Sequence, residues 1–159
     1  VVDFRGNVNT RMRKLSEGVA DATFLACAGL NRLNMADQIT APVPVETMLP
    51  AVAQAVIGCE IRLDDQSTAD ILAPLHHDET AHCVAAERAL LSALDGSCRT
   101  PIAALATLDG NHLSLRAQIL RVDGSECLDA TRQGPIAQAA SMGRDAGEEL
   151  LARAGPSFF

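Results

Sequence analysis

Between residues 101 and 133 three β-rich runs, PIAALATL, HLSLRAQILRV and ECLDATRQ, are joined at Asp109-Gly110 and Asp123-Gly124, the dipeptides favoured in tight hairpin turns. No other stretch narrows the fold as far, because three strands so linked form an antiparallel meander that needs a cover. Helical patterns stand on both sides of it. DETAHCVAAERALLSALDG sets Cys83, Ala86, Leu90 and Leu94 at helical spacing, with Asp78 and Glu79 at the end where the helix dipole favours acids and Gly96 just past the other end. GPIAQAASMGRDAGEELLARAG is entered through Gly134-Pro135 and aligns Ile136, Ala139, Ala140, Gly143 and Leu150 along one face. Residues 74–159 are therefore expected to form an α+β domain, a three-stranded antiparallel sheet with covering helices.

The first part of the chain has a different rhythm. VVDF reads as a strand, RGN as a turn, and the following residues as a helix that Asn7 or Asn9 caps and Gly18 ends. DATFLACAGLNRL repeats the theme as buried strand, small-residue turn and short helix. This β-α-β-α order is that of an α/β layer, assigned to residues 1–48. ITAPVPVETMLP holds Pro42, Pro44 and Pro50 and is extended connector, so a domain crossing is expected there. AVIGCEIRL then reads as a strand, and DDQSTADILAPL as a helix with acids in its first turn. Residues 49–73 form a hinge and return segment.

Composition removes several functional classes. Aromatic residues make up 3% of the chain, with no Trp or Tyr, and the formal net charge is -7. Neither a base-stacking surface nor a general attraction for nucleic acid or anionic membrane fits such a chain. No apolar run approaches the roughly 20 residues of a membrane span, and no signal-peptide pattern opens the sequence, so the expected location is cytoplasmic. The five cysteines, Cys27, Cys59, Cys83, Cys98 and Cys127, are odd in number and form no C-x-x-C pair, which argues for free thiols. Four of them sit in apolar stretches and read as core. Because VVDFRGN starts without methionine on a strand-like run, the chain is expected to be a piece of a longer protein.

Cys98 is the exception among the thiols. It lies in LDGSCRTPIA, on the connection between the helix and the first hairpin strand, one residue before Arg99. A neighbouring cation favours thiolate, and the residues alone leave Cys98 as either a loop residue or a nucleophile, a Cys/His pair included. DGSCRTPIA, preceded by HHDETAHCVAAERALL and followed by hairpin strands, resembles the C-terminal domain of the porphobilinogen deaminase (hydroxymethylbilane synthase) family. RGNVNTRMRKLSEGVADATFLACAGLNRL and LPAVAQAVIGCEIRLDD are similar to that family's second domain and its return into the first.

The resemblance covers essentially the whole chain and carries specific implications. The first part would be α/β layers of the periplasmic-binding-protein kind. Cys98 would hold a dipyrromethane cofactor through a thioether, on which four porphobilinogens condense head to tail with loss of ammonia before hydrolysis frees the linear tetrapyrrole. Porphobilinogen and the growing tetrapyrrole would be the partners of a protein that is usually monomeric, with no nucleic acid, membrane or metal. Each porphobilinogen brings an acetate and a propionate, and guanidinium forks match carboxylates in bidentate geometry. Arg5, Arg11 and Arg32 match family arginines that hold such carboxylates, Leu25 and Ala26 match a strand end that meets the cofactor through backbone, and Gln54 matches a hinge glutamine. Arg13, Lys14 and Arg99 gain no such support and are left as surface charges.

Two departures from the family pattern stand out. Ala53 and Ala55 flank Gln54 where the family has glycines, and Ser97 replaces a common second glycine. The family's catalytic aspartate belongs to its first domain and no catalytic residue is expected within Val1 to Phe159, so the chain alone is expected to be inactive. His76, His77 and His82 in HHDETAHC are read as a helix entry rather than a metal site. The competing readings are a non-enzymatic small-anion binding module of the same fold and a thiol switch using Cys98.

Overall fold

The computed structural model describes every residue of the chain except Ser97, Cys98, Arg99 and Ser157. It divides into two units, Val1–Pro44 and Val45–Phe159.

In the first unit Asn7 starts a helix, α1 (Val8–Ser16), by accepting the Thr10 amide at 2.9 Å. Of the two asparagines it is Asn7 that has the extended backbone a cap requires. Gly18, at φ +75°, leads the chain away from the helix. A second helix, α2 (Cys27–Arg32), buries Leu30, and a short 3-10 turn follows at Ala36–Gln38.

The second unit is built round a sheet of order β1-β2-β3, β1 (Ile102–Asp109), β2 (His112–Leu120) and β3 (Cys127–Pro135), antiparallel throughout. Alternate residues of the strands point one way: Ile102, Ala104 and Ala106 on β1, Leu113, Leu115, Ala117 and Ile119 on β2, and Ala130 on β3 are all buried. Period two puts them on one face, and two helices cover it. They are α4 (Asp78–Ala93) and α5 (Ala139–Ala154), separated from each other in sequence by the sheet. Ala86 and Leu90 from the first, Leu94 just past its end, and Ala139, Met142, Ala146 and Leu150 from the second complete the core, joined by Phe158.

Small residues let these helices meet backbone to backbone. A methyl group on Gly147 would lie 2.7 Å from Ala93 Cβ and 2.9 Å from the Leu90 oxygen, and one on Gly143 would lie 2.8 Å from the Ala86 carbonyl carbon. A further helix, α3 (Gln66–Leu72), precedes this layer; Asp65 caps it by accepting the Thr68 amide at 3.0 Å, so the acid expected in its first turn is its cap instead.

Several expectations are corrected. The Asp109-Gly110 hairpin is tight, Asp109 pairing with His112, but the chain at Asp123-Gly124 bridges Leu120 to Cys127 through a longer loop. That loop is closed by Arg121, whose amide donates to the Glu126 oxygen at 2.9 Å and whose Nε pairs with the Glu126 carboxylate. The strands expected at Val1–Phe4, before Cys27 and across residues 55–63 are not formed among the described residues. A strand exists only as part of a ladder, and these runs find no partner edge; Val2, Phe24 and Ile57 are exposed rather than buried. Cys27, Cys59 and Cys127 are also exposed, and among the described cysteines only Cys83 is partly buried against the core. Apolar neighbours in sequence do not make a core where the flanking segment has nothing to pack against.

Candidate functional site

The turn before α1 gathers cations. Gly6 has φ +138°, and a Cβ there would lie 2.7 Å from Thr10 Cγ2, so only glycine brings the chain round this tightly. The turn folds Phe4 back along the helix, where the Arg11 guanidinium and the Lys14 ammonium sit over its ring at 5.9 and 5.8 Å. Lys14 Nζ also donates to the Arg5 carbonyl at 2.9 Å. Lys14 thus joins the group although its sequence gave no reason to single it out, beyond its place one helical turn after Arg11. Arg13 points elsewhere, paired with Glu17 at 2.6 Å on the exposed side.

Arg11 connects this group to the next segment. Its Nη2 donates to Thr23 Oγ1 at 2.8 Å and to the Phe24 carbonyl at 2.7 Å, which brings the run holding Leu25 and Ala26 against α1. Its Nε is buried and has no hydrogen-bond partner among the described residues. A buried donor without an acceptor is disfavoured, and an acidic ligand atom is the group that would complete it. Arg5 reaches solvent, its Nε on the Asp3 carboxylate at 3.0 Å. Leu25 is half-buried, while Ala26 caps α2, its carbonyl accepting from Gly29 and Leu30. Arg11 therefore ties the segment of Leu25 and Ala26 to α1, and Arg5 is tied to the same helix through its carbonyl on Lys14. Arg32 stands in the last turn of α2, about 9 Å along the helix axis from Ala26; it is exposed and has no hydrogen bond or ion pair among the described residues.

Gln54 belongs to the second unit, in a turn laid on the outer edge of β1. Ala104 N donates to the Pro50 carbonyl at 3.0 Å and Ala51 bridges to Ala103. Ala53 and Ala55, on either side of Gln54, hold left-handed backbone at φ +54° and +66°, the conformation for which glycine is the ordinary choice. The turn is fastened by Glu87 of α4, whose Oε2 accepts the Ala53 amide at 2.7 Å and whose Oε1 accepts the Ala106 amide at 2.8 Å. Sequence reading passed over Glu87. The signal was present: it falls four residues after Cys83 and three before Leu90, a carboxylate on an apolar helix face.

Gln54, Val56, His77, Thr80 and Cys83 line a groove of about 300 Å³ beside Glu87. Burial pushes the Cys83 thiol above its ordinary value, and the Glu87 and Glu79 charges push it the same way, so it is a poor thiolate. His77 caps α4 through Nδ1, with Thr80 Oγ1 at 2.9 Å and the Thr80 amide at 3.3 Å, and His76 pairs with Asp78.

Cys98 itself lies outside the described residues, with Ser97 and Arg99. The connection that holds it is anchored at both ends. On the α4 side Gly96 N donates to the Leu91 carbonyl at 3.0 Å; on the β1 side the Pro101 carbonyl accepts the Leu120 amide at 3.0 Å.

Comparison with known proteins gives this arrangement its relatives. Residues 1–70 match the family model described as porphobilinogen deaminase, dipyromethane cofactor binding domain, and residues 81–152 match that of the porphobilinogen deaminase C-terminal domain. The porphobilinogen deaminase of Paracoccus denitrificans is 55% identical over 159 residues, all of this chain and 51% of that protein. The chloroplastic porphobilinogen deaminases of Pisum sativum and Oryza sativa subsp. japonica are 52% and 51% identical, over 99% and 100% of this chain and 43% and 45% of their own lengths. The chain spans about half the length of the curated relatives it matches. With two consecutive family models and identities above half along its whole length, the chain belongs to the porphobilinogen deaminase family.

Proposed function

We propose that this chain works in hydroxymethylbilane synthesis, the head-to-tail condensation of four porphobilinogens with release of ammonia, and that Cys98 carries the dipyrromethane cofactor as a thioether. The observation that carries the reading is the cation group at α1: Arg11 with its buried, unpartnered Nε, beside Arg5 and Lys14, against the segment of Leu25 and Ala26. A chain of net charge -7 that gathers cations and an unfilled donor at one turn suits a ligand rich in carboxylates.

When bound, the dipyrromethane supplies the pyrrole carbon to which the first porphobilinogen is joined. The protein's own part is positioning and charge. Arg5, Arg11 and Arg32 hold acetate and propionate groups, with Arg11 oriented by Thr23 and the Phe24 carbonyl. Leu25 and Ala26 offer backbone groups, and Gln54 offers its amide from the far side of the proline-rich crossing. Proton transfer at the pyrrole nitrogen is assigned to no residue of Val1 to Phe159.

We read residues 1–48 as part of an α/β layer of the periplasmic-binding-protein kind, residues 49–73 as hinge and return segment of a first domain, and residues 74–159 as the cofactor-carrying domain. The exposed apolar side chains of Val2, Phe24 and Ile57 support strands that pair with segments beyond those described. No described helix is long and apolar enough to cross a membrane. We take the protein as a monomer of the cytoplasm, a reducing compartment in which free thiols such as the four described cysteines persist.

The test is porphobilinogen consumption by the complete gene product, with ammonia counted. One ammonia per porphobilinogen, abolished in Cys98→Ser and raised in KM by Arg11→Ala, is expected. Turnover by the isolated chain that survives Cys98→Ser overturns the reading.

A further inference from the structure

We infer that Glu87 is a positioning residue that holds Gln54 on the C-terminal domain by fastening the turn on which Gln54 stands. This rests on the proposal that Gln54 meets the cofactor or its growing chain.

Three observations converge on Glu87. It is a carboxylate only 6% exposed, set among the apolar core residues of α4, and a buried charge persists only where hydrogen bonds compensate it. Both of its oxygens are committed to backbone amides, Ala53 N at 2.7 Å and Ala106 N at 2.8 Å. Those two amides come from different parts of the chain. Ala53 lies inside the stretch matched by the cofactor-binding domain, residues 1–70, and Ala106 inside that of the C-terminal domain, residues 81–152.

The edge of β1 shows how the attachment is made. β1 is an outer strand, and its free edge is covered by the 50–53 segment, with Ala104 N on the Pro50 carbonyl and Ala51 bridged to Ala103. One step further along, Ala106 would offer the next free amide, but the segment has turned away and Glu87 takes its place as acceptor. The same carboxylate then takes Ala53 N, at the point where the chain enters left-handed backbone. Left-handed alanine is disfavoured and survives only where its surroundings over-determine it. Glycine at 53 and 55 would need no such hold; alanine does, and Glu87 supplies it. Gln54, exposed between the two alanines, is thereby presented from the C-terminal domain whatever the rest of the hinge does.

Glutamine at position 87 keeps one acceptor oxygen and turns a second N–H toward the other amide, so one bond is lost and a repulsion added. The test uses the complete gene product as wild type, Glu87→Gln, Gln54→Ala and the double variant, read by amide exchange and by kcat/KM for porphobilinogen. Glu87→Gln is expected to speed exchange at Ala53 and Ala106 by about tenfold or more while the amides of β2 stay protected. If Glu87 acts through Gln54, the double variant is no slower than Gln54→Ala. Losses in kcat/KM that multiply in the double variant, or exchange unchanged by Glu87→Gln, overturn the inference. Should Glu87→Gln fold poorly, the same cycle is run with Ala53→Gly and Ala55→Gly present, where relief of the strained backbone is expected to restore folding. A wild-type protein that does not consume porphobilinogen defeats the proposed function instead; the fastening is then decided by exchange, with slow exchange retained in Glu87→Gln overturning it.

Discussion

Replacing Gly143 by alanine tests the helix contact that supports both the cysteine connection and the Gln54 turn. The new methyl carbon would lie 2.8 Å from the Ala86 carbonyl carbon, 3.1 Å from Ala89 Cβ and closer still to the Ala86 oxygen, whereas carbon atoms rest comfortably at roughly 3.5–4.0 Å. The obstacle is the backbone of α4, which has no rotamer to change, so α4 and α5 must part by about 1 Å. Overpacking of this kind costs about 1–3 kcal/mol, and a backbone obstacle belongs at the upper end. Against that, alanine is favoured over glycine inside a helix by about 1 kcal/mol. The net loss is about 2 kcal/mol, or about 8–16 °C in Tm for a domain of this size. Thermal unfolding followed by far-ultraviolet circular dichroism measures it. An unchanged or raised Tm would mean that helix propensity outweighs the contact, and would refute the close approach of the two helices.

Other perturbations read other parts of the account. Ala53→Gly and Ala55→Gly relieve left-handed alanine, worth roughly 1–2 kcal/mol each, and lose about 0.4–1 kcal/mol to chain entropy; a Tm raised by each, and more by both, is expected. Arg11→Lys retains a charge but not the fork that reaches Thr23 and Phe24, so amide exchange in residues 22–26 should quicken while α4 and α5 are untouched. The Arg132 and Arg153 guanidiniums hold the Glu149 carboxyl below its ordinary value of 4.5. A depressed folded value gives stability that is present above pH 4.5 and is lost as pH falls through the folded value. Glu149→Gln should therefore melt below wild type at neutral pH, and the two Tm curves should converge under acid; a gap that stays constant with pH would speak against the pairing.

What could be read from sequence was what local chemistry decides. The Asp-Gly pairs and alternating apolar residues were enough for the meander, though Asp123-Gly124 lies in a longer loop rather than a tight turn, and the 3.6-residue stripes of Ala86, Leu90, Ala139 and Leu150 were enough for the helices that cover it. The runs at Val1–Phe4 and 55–63 look like strands by composition but depend on a partner edge that composition does not reveal. Exposure of Cys27, Cys59 and Cys127 was hidden for the same reason. At the site, Arg5, Arg11, Leu25 and Ala26 were singled out through resemblance alone, and the hold of Arg11 on Thr23 and the Phe24 carbonyl, which draws the segment of Leu25 and Ala26 to α1, is visible only in three dimensions. Lys14 was read as a surface charge and Glu87 was passed over because a lysine beside an arginine, or a glutamate in a helix, is ordinarily a solvated charge; what distinguishes them is a carbonyl and two amides supplied by distant residues.

The central claim is the thioether at Cys98, and the intact denatured mass of the complete gene product, beside its Cys98→Ser variant, tests it most directly. The account predicts a stable excess equal to one dipyrromethane in the first and none in the second. An unmodified mass in both, persisting after incubation with porphobilinogen, would contradict it and leave Cys98 a loop residue.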